Sequence, residues 1–201
     1  MGALVETMPE AAVSFESEVT RLRGGDLDAA ARLMERYQHR LYRYLLRMVG
    51  QPATAEDLFQ QTWLRVMEHA RRYDPRRPFE GWLFGVAHNA AIDYLRRRQP
   101  ESLDEPLPSG ETRAELAPSS EAGILEQLLA QERAGQLTTA MAELPTAFRE
   151  VLTLRFEEEM KLEEIALALA LPLGTVKTRL HRALKALKRV LEAESGTRIT
   201  P

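Results

Sequence analysis

Between Pro100 and Ser120 the chain loses all apolar periodicity: Pro100, Pro106, Pro108 and Pro118 fall among Glu, Asp, Ser and Gly. Such a segment cannot bury enough apolar surface to offset the entropy of ordering it, and its prolines interrupt regular helix. It divides the 201 residues into two blocks, each long enough for a small domain with its own core. Over residues 101–132 there are eight acids against the single base Arg113, so the divider is a flexible acidic linker.

Both blocks read as helical. In the first, placed at 15–99, Leu33, Tyr37, Leu41, Tyr44, Leu45 and Met48 recur at spacings of three and four, the period of one helix face. Gly50-Gln51-Pro52 stops that helix, and Thr54 offers an N-cap to the next, with Glu56 and Asp57 in its first turn. The two prolines of Tyr73–Pro78 make a loop. A further helix from about Glu80 to Arg98 places Leu83, Ala87 and Tyr94 on one face, with Trp82 expected in the core. In the second block, 133–194, Phe148, Val151, Leu152 and Leu154 follow the opening Leu144-Pro145. A short helix is expected over Leu162–Ala170, a break at Leu171-Pro172-Leu173, and a last helix from Gly174 to Leu191. The alternating run Ile165–Leu171 has the period of a strand, but Ala and Leu are strong helix formers and only Ile165 is β-branched. The fold class is all-α.

Several function classes drop out. With no Cys there is no disulfide framework, thiolate metal site or cysteine nucleophile, which fits a reducing cytoplasm. His39, His69, His88 and His181 show no zinc spacing, and there is no GxSxG, GxGxxG or phosphate-binding loop. No cofactor, metal or catalytic residue is expected; Glu157-Glu158-Glu159 and Glu163-Glu164 read as solvated helix faces. No segment reaches the roughly 18–20 apolar residues of a membrane span. Met1–Glu10 carries Glu6 and Glu10 and no base, unlike a signal peptide. A soluble, cytoplasmic protein is expected.

The formal net charge of −3 conceals a strongly basic helix. From Leu173 to Leu191 stand Lys177, Arg179, Arg182, Lys185, Lys188 and Arg189, with no acid. Val176, Leu180, Ala183, Leu184, Leu187 and Leu191 form its apolar stripe, while Thr178, His181, Arg182, Lys185 and Lys188 share another face. A short helix, a tight turn and an amphipathic basic helix have the geometry of a helix-turn-helix, whose second helix is expected in a DNA major groove; the alternative is a solvated basic face on a bundle helix. Arg182 suits a bidentate contact to guanine, and Thr178 a single hydrogen bond or a thymine methyl. Lys177, Lys185 and Lys188 suit phosphates, and the amides at Gly174-Thr175 can hold one at the helix start. The aromatic helix Phe79–Arg98, ending in Arg96-Arg97-Arg98 and preceded by Arg76-Arg77, admits two readings. It is either a stacking surface for unpaired bases or a core helix with a basic end.

Ala55-Glu56-Asp57-Leu58-Phe59-Gln60-Gln61-Thr62-Trp63-Leu64-Arg65-Val66 followed by Phe79–Arg98 resembles region 2 of a bacterial sigma factor. Leu144-Pro145 to Leu152, then Glu163–Ala166 and Gly174–Ala183, resembles region 4. Two such motifs in this order, with only a linker between, are similar to the extracytoplasmic-function group. The resemblance implies binding to core RNA polymerase, with Asp57, Gln60, Gln61 and Arg65 at the clamp; Gln61 stands where the family usually has Glu. It implies −10 melting and single-strand capture by Arg76, Arg77, Phe79, His88, Asn89, Arg96 and Arg97. Readout of the −35 duplex would fall to Thr175, Lys177, Thr178, His181, Arg182, Lys185 and Lys188. It also leaves room for an anti-sigma factor, which no residue identifies, and calls for no homo-oligomer. Ala170 stands at a turn position where Gly is common; if that position requires positive φ, Ala there costs about 1 kcal/mol. Lys161 stands where a Ser or Thr cap is usual. The competing class is a free-standing helix-turn-helix regulator whose N-terminal helices dimerise or sense a ligand.

Overall fold

The computed structural model describes residues 10–98 and 134–197, with side chains over 15–98 and 137–193. The acidic linker and the end of the C-terminal tail lie outside the described residues. The first unit contains α1 (Glu10–Arg23), α2 (Leu27–Val49), α3 (Pro52–His69), a single 3-10 turn (Ala70–Arg72) and α4 (Phe79–Arg98). The second contains α5 (Ala134–Glu143), α6 (Thr146–Leu152), a π-helical turn (Thr153–Glu157), α7 (Leu162–Ala168) and α8 (Leu173–Thr197). No strand occurs among the described residues, and the Ile165–Leu171 alternation belongs to α7 and the turn after it.

Local chemistry sets the boundaries. Asp26 caps α2 by accepting the amides of Asp28 and Ala29; the Ala29 bond first, then the Arg21 side chain, hold its carboxyl below the usual range. Gly50 ends α2 in the left-handed conformation, φ 70°. Helix α3 starts earlier than Thr54 predicts: Gln51 is the cap residue and Pro52 opens the helix. Proline suits that first position because the amide it lacks would have no helical partner. The Thr54 hydroxyl instead lies 3.4 Å from the Tyr94 hydroxyl, tying α3 to α4.

The turn between α7 and α8 closes as a Schellman motif. The Leu171 amide donates to the Ala166 carbonyl at 3.0 Å and the Ala170 amide to Leu167 at 3.3 Å. Ala170 has φ 52°, the strained conformation anticipated at this site, and α7 ends two residues before it. At the other end, Glu164 accepts the Lys161 backbone amide at 2.8 Å, supplying the cap that the Lys161 side chain cannot. Ala170→Gly is expected to stabilise the second unit by about 1 kcal/mol, read as a raised denaturation midpoint. An unchanged or lowered midpoint would contradict the strain.

The cores follow the apolar stripes. Leu33, Tyr37, Leu41, Tyr44, Leu45 and Met48 of α2 are all buried against α3 and α4. In the second unit α5, α6 and α7 pack on α8, whose Val176, Leu180, Ala183, Leu184 and Leu187 are buried. Trp82 departs from expectation. It is half-buried, packing at a tilt against Tyr73 (4.9 Å between ring centroids) and Phe79 (5.7 Å), because its position on α4 faces the loop and not α2.

The two units are joined by direct packing. Helix α7 lies along α4 in the most extensive contact between described elements, and α6 meets α2. Gly81 and Gly85, one turn apart on α4, make room for α7. A Cβ at Gly81 would stand 2.8 Å from the Leu167 Cδ2 and 3.1 Å from the Glu164 carbonyl; at Gly85 it would stand 3.3 Å from the Ala168 carbonyl. Beside this seat, the buried Glu150 of α6 accepts the Tyr44 hydroxyl at 2.6 Å, and His88 Nδ1 lies 2.6 Å from the same oxygen. Burial, then the Glu150 charge, raise the Tyr44 pKa well above its usual value, keeping the phenol a donor.

The π turn sends Glu157 and Glu158 to the arginine row of α2. Arg40 Nε donates to Glu158 at 3.0 Å and Arg43 Nε at 2.9 Å, while Arg47 Nε lies 3.0 Å from Glu157. Arg40 also forks onto Glu80 at 2.7 and 3.2 Å. The Glu158 side chain has no exposed surface, and burial raises its carboxyl pKa despite the two arginines.

Candidate nucleic-acid interface

Helix α4 presents two different faces, because one residue along a helix turns the side chain by about 100°. Gly81, Phe84, Gly85 and His88 face the second unit or the core. Trp82, Val86, Asn89 and Asp93, at helical spacing, line a cleft of about 460 Å³ completed by Arg65, Glu68, His69 and Arg72 from α3 and the turn after it. Asn89 is exposed there, and Arg65 reaches across to Asp93 at 3.4 Å. The cleft thus combines an indole face, an amide and cations, the groups that stack on and hydrogen-bond an unpaired base.

The loop before α4 is built for display. The Arg76 amide donates to the Asp74 side chain at 3.0 Å and the Arg77 amide to the Asp74 carbonyl at 3.0 Å. The Tyr73 hydroxyl donates to the Arg77 carbonyl. With its backbone pinned in this way, the loop leaves Arg76 and Arg77 exposed, as are Arg96 and Arg97 at the far end of α4. Two of the expected single-strand residues sit elsewhere. Phe79 is buried among Phe15, Tyr37, Tyr73 and Trp82, with ring centroids 5.7–5.9 Å away. His88 turns toward Glu150, away from Asn89. The spacing of 82, 86, 89 and 93 marks Trp82 as a cleft residue in the sequence, whereas His69 and Arg72 reach the cleft through the way α3 ends, which leaves no local signal.

On α8, Thr175, Lys177 and Lys188 are exposed, while Thr178, His181, Arg182 and Lys185 are half-buried along the same flank. The Thr178 hydroxyl donates to the Gly174 carbonyl at 2.9 Å, which leaves its lone pairs and methyl for a base edge. His181 Nε2 and Arg179 Nε are buried without a hydrogen-bond partner. Burial pushes the Arg179 pKa down, opposed by the Glu150 charge. Lys188 lies 3.8 Å from Glu192, an exposed pair too loose to hold it.

On the outer side of α3, Asp57, Gln60 and Gln61 are exposed, and Arg65 is half-buried. Leu64 and Met67 stand among them, 56% and 38% exposed, an apolar centre for a polar rim. This apolar centre lies beyond the polar residues expected here, and its sequence signal is Leu64, four residues after Gln60 and so on the same helix face. Among the described residues no metal-binding cluster of His or acids occurs, and no helix is long and apolar enough to cross a membrane.

Residues 33–101 match the family model for Sigma-70 region 2, and residues 134–187 that for Sigma-70, region 4. The chain is 30% identical over 180 residues to the ECF RNA polymerase sigma factor SigW of Bacillus subtilis (strain 168), covering 88% of this chain and 96% of the relative. It is 34% identical over 158 residues to SigM of the same organism, covering 78% and 91%. Among solved structures, CnrH in complex with the cytosolic domain of CnrY superposes with a TM-score of 0.64 at 23% identity, covering 89% of this chain and 97% of that one. The sigma factor RpoE in complex with the anti-sigma factor NepR from Bartonella quintana gives 0.60 at 20% identity, covering 81% and 96%. Two helical units, one ending in a basic helix-turn-helix, joined through an acidic segment define an RNA polymerase sigma factor of the sigma-70 class. Within that class the chain belongs to the extracytoplasmic-function, or ECF, family.

Proposed function

We propose that the three surfaces divide the work of promoter-specific initiation. The outer face of α3, with Asp57, Gln60 and Gln61 around Leu64 and Met67, docks on core RNA polymerase. The cleft at Trp82 and Asn89, approached past Arg76, Arg77, Arg96 and Arg97, takes a non-template base flipped from the −10 element. Helix α8 reads the −35 duplex with Arg182 and Thr178, while Lys177, Lys185 and Lys188 neutralise phosphates. The protein contributes recognition and strand capture, the polymerase does the chemistry, and the place of action is the cytoplasm. An anti-sigma factor, of the kind present in the RpoE–NepR complex, is a further partner on this reading.

The division of α4 into a face packed on α7 and an open cleft at Asn89 carries this reading. Unpairing a base costs a few kcal/mol, which stacking of about 1–3 kcal/mol and an amide contact can offset. Asn89→Ala is therefore expected to reduce run-off transcription from a duplex promoter by roughly 10-fold, one such polar contact being worth about 1–1.5 kcal/mol. A template pre-melted over the −10 element should restore most of it. Loss that pre-melting leaves untouched would remove Asn89 from strand capture.

A further inference from the structure

We propose that the cleft between the end of α2, the end of α4 and the start of α6 binds a small organic phosphate, a phosphate monoester with an apolar or aromatic body. The cleft measures about 430 Å³, within the roughly 300–1,000 Å³ of small-molecule sites. None of the residues lining it belongs to the three surfaces assigned above, so the site stands or falls independently of the promoter reading.

Two guanidiniums line the cleft, Arg98 from α4 and Arg149 from α6, and among the described residues no carboxylate does. Their partners are neutral. Arg98 Nη1 donates to the Tyr94 hydroxyl at 2.7 Å and to Gln51 Oε1 at 3.1 Å, which leaves Nη2 and Nε without a partner among the described residues. Arg149 Nη1 donates to the Ala142 carbonyl at 3.0 Å and Nη2 to the Thr146 hydroxyl at 3.4 Å, while its Nε is buried with no partner. The arginines of α2 are treated differently: Arg40, Arg43 and Arg47 each hold a carboxylate. A half-buried cation with neutral partners only is incompletely compensated, and an anion entering the cleft supplies the missing charge. The electrostatics agree. Burial, then the Arg47 charge, push the Arg149 pKa down, with Glu150 opposing. The Thr54 hydroxyl, then Arg98, hold the Tyr94 phenol below its usual value. In both cases a neighbouring guanidinium acts in the direction of surplus positive charge.

The rest of the wall sets the body of the ligand. Met48, Val49 and Leu95 are apolar, and Tyr94 adds ring surface. A phosphate monoester carries roughly −1.5 to −2 charges at pH 7 and three acceptor oxygens, enough to meet both guanidinium forks. Its ester group then lies on the apolar wall. A carboxylate, with one charge, completes a single fork.

Phenyl phosphate has this chemistry, and its binding to the full chain can be followed by isothermal calorimetry at fixed ionic strength. It should occupy one saturable site, several-fold more tightly than inorganic phosphate, which lacks the body; phenol, which lacks the charge, should show no measurable binding. Arg98→Gln and Arg149→Gln should each weaken phenyl phosphate by about 10-fold or more, since each removes a charge-assisted contact. Val49→Trp, which fills the cleft and keeps both guanidiniums, should do the same. Arg71→Gln, at an exposed position outside the cleft, should change nothing. Arg149 also ties α5 to α6, so circular dichroism checks the fold of each variant, and the exposed Arg98 decides the matter if Arg149→Gln unfolds. No saturable binding, or equal affinity in wild type, Arg98→Gln and Val49→Trp, would overturn the site. Equal affinity for inorganic phosphate and phenyl phosphate would overturn the organic ligand.

Discussion

Leu180→Ala is expected to lower the stability of the second unit by about 2–5 kcal/mol. Leu180 has no exposed surface and sits mid-stripe on α8, between Val176 and Leu184, where α5, α6 and α7 converge. Truncation leaves a cavity that three short helices cannot fill without abandoning their own contacts, which places the cost toward the upper end of the range. Because small domains are stable by only a few kcal/mol, the unit would be largely unfolded at growth temperature. Chemical denaturation followed by circular dichroism checks this; a loss below about 1 kcal/mol would mean that α8 is not the keel of the unit. Transcription from −35-dependent promoters should fall with the fold.

Arg182→Ala, two residues along the same helix, should do the reverse: remove readout and leave the fold. Arg182 is half-buried on the flank of α8 proposed to read DNA, and a bidentate contact to guanine carries about 1–3 kcal/mol of discrimination. Transcription should therefore drop roughly 5- to 150-fold on the preferred −35 sequence and much less on a promoter already mutated at the contacted base. Lys177→Ala offers the contrast, because a phosphate contact weakens all sequences alike and lowers the salt slope by about 1. Equal losses across −35 variants for Arg182→Ala would reassign it to phosphate.

The helical class, the two-unit division and the α2 and α8 stripes were legible because burial on one side of a helix leaves a period in the sequence. Leu33, Tyr37, Leu41 and Met48 recur at that period and are buried. The strain at Ala170 was legible too, since the turn demands a conformation that alanine dislikes. Thr54 misled because a good capping residue lost to Pro52, which needs no cap bond at all. Trp82 misled because size alone argued for the core, whereas position on α4 put it at the cleft rim. The packing between units left no local sign: the acid run at Glu157–Glu159 looks solvated until Arg40 and Arg43, more than a hundred residues earlier, are brought beside it. Glycines at 81 and 85 likewise signal close approach only when the approaching helix is known.

Promoter binding with and without core polymerase addresses the central claim most directly, that this chain is a recognition subunit and not a regulator acting alone. A fluorescent duplex spanning both elements, titrated by anisotropy at fixed salt, should bind the isolated protein weakly and with little sequence preference. Adding core polymerase should produce a tight complex that loses affinity when either element is scrambled. Tight, sequence-specific binding by the protein alone, as a dimer on paired half-sites and unchanged by polymerase, would contradict the account.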